Sequence, residues 1–167
     1  VKQTVEYIEQ EAPKYNKIFK LTLTTNGMLL SQEKIDYVNE HKMSLVLSLD
    51  GREDVHNAMR PVAGSGANSY EYIAKNLVNA VKQRHGLEYY VRGTYTHKNL
   101  DFTKDVLAMS DLGFEHLSME PVVGEEGDYV LREEDWPMLE KEYETLADLY
   151  LQRQKDGWGE KFNFFHF

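Results

Sequence analysis

The chain is 167 residues long, 41% hydrophobic and 28% charged, which fits one compact soluble domain rather than a disordered or fibrous segment. Its 19 Lys and Arg against 28 Asp and Glu give a formal net charge of −9, which argues against a phosphate-neutralising grip on nucleic acid and against an anionic membrane surface. No apolar run approaches the roughly 20 residues of a membrane span, and zero cysteine removes disulfides, thiolate metal sites and cysteine nucleophiles, as suits a reducing, cytoplasmic setting.

Val1, Val5 and Ile8 fall at helical spacing, so an amphipathic helix is expected up to about Ala12, ended near Pro13. Phe19, Leu21 and Leu23 alternate with polar residues as a strand does, and Asn26-Gly27 closes it with a turn. Ser31 is a good N-cap for a short helix carrying Ile35 and Val38. Ser44 to Leu49 is a β-rich run stopped by Asp50-Gly51, and a polar loop with Pro61, Gly64 and Gly66 follows.

A helix is expected from about Ser69 to His85, buried through Ile73, Leu77, Val78 and Val81 and capped by Gly86. Leu87 to Thr96 reads as a long strand, Asp101 to Asp111 as a helix ended by Gly113, and Phe114 to Met119 as a further strand. Gly124 to Asp128 is acidic and turn-forming, and the charges from Arg132 to Asp135 read as a solvated helix start. Pro137 opens a long helix to Lys155, Gly157 and Gly159 break it, and Phe162 to Phe167 begins another strand. Val1 falls inside a helical pattern and Phe167 inside a strand-like one, so the chain reads as a slice of a longer protein.

Alternating helices and strands on short loops imply βαβ crossovers and a parallel sheet. No glycine-rich phosphate fingerprint follows a strand, which counts against a dinucleotide fold. Polar residues gather at the C-terminal strand ends, as they do at the active rim of a (β/α) barrel. A barrel is therefore favoured over an open doubly wound sheet.

The strand ends that would converge on one rim are Thr25-Asn26-Gly27, Ser48-Leu49-Asp50-Gly51, Arg92 to Thr96, and Ser118-Met119-Glu120-Pro121. Strand periodicity puts Ser48 and Asp50 on one face and Leu47 and Leu49 on the other. Asn26-Gly27 and Asp50-Gly51, taken alone, are ordinary turns. Arg92 within an apolar strand must face a polar cavity or pair with a carboxylate such as Glu120, because an unpaired buried guanidinium is costly. His56, His97 and His116 lack metal-site spacing and read as surface or core histidines; no metal ligand is assigned.

Ser48-Leu49-Asp50-Gly51, followed by His56 and Arg60-Pro61, resembles the fourth-strand motif of radical S-adenosylmethionine enzymes of the SPASM-domain, peptide-modifying branch. Thr25-Asn26-Gly27 resembles the end of their third strand, and Ser69 to Ile73, Arg92 to Asp101 and Ser118 to Gly124 resemble the segments that follow. The nearest likeness is to the maturases of six-cysteine peptides. The resemblance implies a parallel partial (β/α)6 barrel, held here from roughly its third strand onward. It also implies that the CxxxCxxC loop and the Gly-Gly-Glu-Pro stretch lie upstream of Val1, with the SPASM cysteines downstream of Phe167.

The resemblance implies S-adenosylmethionine and [4Fe–4S] clusters as cofactors, the cluster ligands lying outside this chain, and an electron donor and a cysteine-rich precursor peptide as partners. In that family a 5′-deoxyadenosyl radical abstracts a substrate hydrogen, here from the Cα of a peptide residue, and a cysteine sulfur closes a thioether. By position, Ser48 and Arg60 would hold the methionine carboxylate or ribose. Asp50 and Asn26 would shape the rim, Val123 would lie against the adenine, and Arg92 is a further candidate for cofactor or substrate contact. Three other readings stay open: a sulfatase-maturase-like enzyme, a barrel hydrolase or lyase using Asp50 and Glu120 as acid and base, and a non-catalytic peptide-binding domain presenting Tyr89, Tyr90 and Tyr95. For Arg60 the plain alternative is a surface pair with Glu53 or Asp54, of little energetic weight.

Overall fold

The computed structural model describes residues 1–167, with every side chain except that of Glu160. It holds five strands, β1 (Thr22–Thr25), β2 (Ser44–Ser48), β3 (Tyr89–Tyr95), β4 (His116–Pro121) and β5 (Asn163–Phe164). Its α-helices are α1 (Lys2–Glu11), α2 (Gln32–Glu40), α3 (Glu53–Met59), α4 (Tyr70–Lys82), α5 (Thr103–Asp111) and α6 (Trp136–Lys155). None is long and apolar enough to cross a membrane.

All four strand pairs are parallel, and the sheet order is β1-β2-β3-β4-β5. A doubly wound sheet reverses its strand order at a switch point; this one never reverses. Each new strand instead lies beside the last, with helix between, which is how a (β/α) barrel grows. The expected parallel partial barrel is the observed fold.

Period two on the strands divides the sheet into a helix-packed face and an open one. Leu45, Leu47 and Leu49 of β2 and its end, Val91 and Tyr95 of β3, Leu117 and Met119 of β4, and Phe164 are buried. They join Ile35 and Val38 of α2, Ile73 and Leu77 of α4, Val106 and Met109 of α5, and Leu139 and Leu146 of α6 in one core. Burial of a Leu or Ile side chain contributes about 1.5–3 kcal/mol, so this shared core is what holds the helices to the sheet. The opposite face carries Thr22, Thr24, Ser48, Arg92, Thr94 and Glu120, none of them fully buried.

Three expectations are corrected. The polar loop after Asp50 contains helix α3, because Glu53 and Asp54 suit a helix N-terminus and Pro61, Gly64 and Gly66 fall beyond its end. Strand β1 begins three residues later than Phe19, whose side chain is exposed; Leu21 and Leu23 still pack on the core. Strand β5 is only two residues long, since the chain after Phe164 turns and exposes Phe165 and Phe167.

Candidate functional site

The C-terminal end of β2 is where the charged groups of the open face meet. Strand register sets Ser48 beside Arg92, Arg92 beside Ser118, and Thr94 beside Glu120. Arg92 donates from Nη2 to Glu120 Oε2, the partner expected from sequence. One step further along, Asp50 is 2% exposed and its carboxylate is fully engaged. Oδ1 accepts the Thr94 N–H at 3.1 Å and Arg60 Nη2 at 3.0 Å, while Oδ2 accepts Arg60 Nε at 2.5 Å.

Arg60 thus pairs with Asp50, not with Glu53 or Asp54. The surface alternative is overturned because Asp50 lies buried at the strand end, where a carboxylate needs a counter-charge. Three features place the arginine. Helix α3 ends in the Arg60 N–H donating to the His56 carbonyl at 2.8 Å, and Ser69 Oγ donates to the Arg60 carbonyl at 2.6 Å. Pro61, the next residue, has its own φ fixed by its ring.

His56 is a core residue. Its Nδ1 accepts the Asp50 N–H at 3.3 Å, which requires the neutral Nε2–H tautomer. Its ring meets Tyr70 edge-on with centroids 5.7 Å apart. Burial pushes its pKa down, the Arg60 charge acts in the same sense, and Asp50 opposes both. Asp50, Met59, Arg60, Thr94 and Thr96 line a cleft of about 180 Å³. That is room for a carboxylate-sized part of a ligand, not for a whole nucleoside.

The other sequence candidates are dispersed. Ser48 is half-buried in register with Arg92. The Asn26 Oδ1 accepts the Met28 N–H at 3.1 Å, so that side chain builds its own turn and is not joined to the Asp50 cluster. Val123 is 93% exposed in the segment after β4.

Sequence reasoning missed a second network under the first. Arg52 donates from Nη1 and Nη2 to Asp101 at 3.0 and 2.6 Å, and from N and Nε to Asp105 Oδ1 at 3.0 and 2.7 Å. Asp105 is wholly buried on α5. Its position among Val106, Met109 and Ser110 on the buried side of that helix was the available signal. Hydrogen bonds to Asp105 and then to Asp101 hold the Arg52 proton more tightly than usual. The expected solvated start of α6 holds for Arg132, Glu133 and Glu134, which are exposed, and is corrected at Asp135, which is buried, accepts the Arg132 N–H at 2.8 Å and meets His97 Nδ1 at 2.9 Å. It stabilises the short 3-10 turn that precedes the helix.

Among the described residues no group of three His, Asp or Glu side chains is placed to hold a metal. Two solved structures show where such a sheet occurs. Native anSMEcpe with bound AdoMet and Kp18Cys peptide is similar at a TM-score of 0.80 and 19% identity, over 98% of this chain and 46% of that one. Native anSMEcpe with bound AdoMet gives 0.80 and 18%, over 96% and 44%. The chain spans less than half the length of these structures, and at such identity the likeness establishes the fold alone. No protein-family model and no curated protein matches the chain.

Proposed function

We propose that this chain is part of the radical S-adenosylmethionine domain of a peptide maturase, with Arg60 as its anchor for the cofactor's methionine carboxylate. The observation that carries the reading is the Asp50–Arg60 pair at the C-terminal end of β2. Asp50 occupies Nε and one hydrogen of Nη2, so the outer edge of the planar guanidinium, Nη1 with the second Nη2 hydrogen, is free for a second carboxylate. The cleft beside it has the size of such a group. The likeness to anSMEcpe, solved with AdoMet and with peptide, supports an S-adenosylmethionine- and peptide-binding reading of this fold.

S-adenosylmethionine, once reduced, supplies a radical able to remove a hydrogen from an unactivated carbon. The chain's own residues bind and orient. Arg60 fixes the carboxylate, Ser48 and Thr94 offer hydroxyls along the same face, and the Arg92–Glu120 pair presents both charges to a peptide backbone. Residues for an iron–sulfur cluster are not in this chain, since it has no cysteine. The reading therefore puts the [4Fe–4S] ligands and the entry of electrons from a donor protein on segments outside it.

Motif resemblance favours a cysteine-rich precursor peptide and Cys-to-Cα thioether closure. Sulfatase-type maturation, in which a target residue is oxidised without crosslinking, is the second reading, and the likeness to anSMEcpe, an anaerobic sulfatase-maturating enzyme, favours it. The test of the shared core is S-adenosylmethionine affinity in the full-length protein carrying Arg60→Ala or Arg60→Lys. A charge-assisted hydrogen bond contributes roughly 1.5–3 kcal/mol, so loss of the guanidinium should weaken binding about ten- to hundredfold. Lysine should not rescue it, because the ammonium lacks the planar fork. Wild-type affinity in both variants would remove Arg60 from the site.

A further inference from the structure

Asp105 is a fully buried carboxylate in the first turn of α5, and the proposed cofactor contacts make no use of it. Its hydrogen bonds lead in two directions. Oδ1 accepts the Arg52 N–H and Nε, which fixes the turn that leaves β2 just after Asp50. Oδ2 accepts Asn99 Nδ2 at 3.0 Å, and Asn99 Oδ1 in turn accepts both the N–H and the Oγ1 hydroxyl of Thr96 at 2.8 Å. Asp50, just after β2, and Thr96, just after β3, both line the same cleft. One buried carboxylate therefore ties down both walls.

The turn is pressed onto Asp105 as well as bonded to it. Gly51 has φ +102°, and a Cβ there would fall 2.6 Å from Asp105 Cα. Arg52 supplies the counter-charge, and Asp101 holds the far end of its guanidinium. A network in which every member is satisfied is rigid, and breaking one member strands the others.

We infer that Asp105 is a positioning residue: through Arg52 on one side and Asn99 on the other it fixes the gap between the ends of β2 and β3, and so the aim of Arg60. The inference rests on the reading of Arg60 as a cofactor anchor, and its test separates the two. Asp105→Asn keeps the size of the side chain but puts an amide donor against the Asn99 donor. Arg52→Lys removes the fork at a partly exposed position and is the variant to use if Asp105→Asn does not fold.

Each substitution is made in the full-length protein, alone and together with Arg60→Ala, and S-adenosylmethionine binding is measured by equilibrium dialysis without reductant. Each alone should weaken binding roughly five- to tenfold, and neither should weaken it further once Arg60 is gone, as expected of coupled residues. Equal losses in both backgrounds, or no loss, would overturn the inference. Amide exchange at Arg52, Thr94 and Thr96 is the readout that needs no ligand. It should quicken in Asp105→Asn relative to the rest of the sheet, and unchanged exchange there overturns the inference too. A wild type that shows no affinity for S-adenosylmethionine but does show that local quickening would sink the cofactor reading and leave Asp105 as the tie between the two loops.

Discussion

Alanine at Gly51 tests how closely the turn after β2 and helix α5 approach. A Cβ there would lie 2.2 Å from Asp105 Cβ and 2.6 Å from Asp105 Cα. The second contact is with backbone, so no side-chain rotation relieves it. Gly86 is the natural control: its φ is +84°, and nothing lies within 4 Å of the position of its Cβ. Alanine at Gly86 carries only the left-handed backbone cost of about 1–2 kcal/mol. At Gly51 overlap in a packed interior adds about 1–3 kcal/mol, for a total of roughly 2–5 kcal/mol. At about 2–4 °C per kcal/mol for a domain of this size, Gly51→Ala should lower the melting temperature by about 4–20 °C and Gly86→Ala by about 2–8 °C. Thermal and urea unfolding followed by far-ultraviolet circular dichroism measure both. Equal losses at the two positions would refute the close approach, and the tie from Asp105 to the β2 end would fall with it.

His56 makes stability depend on pH. Its folded pKa lies below the unfolded value of about 6.5, so its contribution is complete above that value and is lost as pH falls through the folded pKa. Urea midpoints should fall on going from pH 7.5 toward 5, with a shallower fall in His56→Gln; identical slopes would contradict the buried neutral imidazole. Arg84 is buried and donates to Asn39 Oδ1 and to the carbonyls of Met43 and Glu88, so Arg84→Met should cost about 2–4 kcal/mol through acceptors left unpaired; a change below about 0.5 kcal/mol in urea unfolding would show that those groups find other partners. Anaerobic reconstitution of the 167-residue chain with iron and sulfide should leave it colourless, because it has no cysteine to hold a cluster; a stoichiometric cluster absorbance would overturn the assignment of the ligands to other segments.

The elements legible in the sequence are those whose pattern answers to one strong force. Helix α4 shows its buried face through Ile73 and Leu77, because burial on one side imposes the period, and β2 shows as a compact run of Leu45, Val46 and Leu47, because nearly all of it is buried. The Arg92–Glu120 pair was legible for the converse reason, since a guanidinium in an apolar strand needs a partner within reach. Helix α3 was hidden because it is seven residues long and its one buried residue is a histidine, which carries no hydrophobic signal. The Asp50–Arg60 pair spans a whole helix, and Arg52 reaches Asp101 and Asp105 across about fifty residues. Nothing local announces a partner at that distance. The places of Asn26 and Val123 rest on analogy of position, which no local pattern encodes: Asn26 caps its own turn and Val123 is exposed.

A long side chain on a polar loop ordinarily loses much of its rotamer freedom when it binds, at a cost of up to about 2 kcal/mol. Arg60 has lost it already. Asp50 holds Nε and Nη2, the Asp50 backbone is held by His56, and the Arg60 backbone is held by His56 and Ser69. Two of the five guanidinium hydrogens are used, which leaves three on the outer edge. The negative partner also keeps the pair near neutral, so that the edge recognises a carboxylate by the geometry of two parallel hydrogen bonds more than by net charge. Such a group binds weakly to stray anions and well to a planar carboxylate delivered at the right angle. On the proposed reading, in a chain with a formal net charge of −9, that arrangement would let one arginine select an anionic group that the protein as a whole repels.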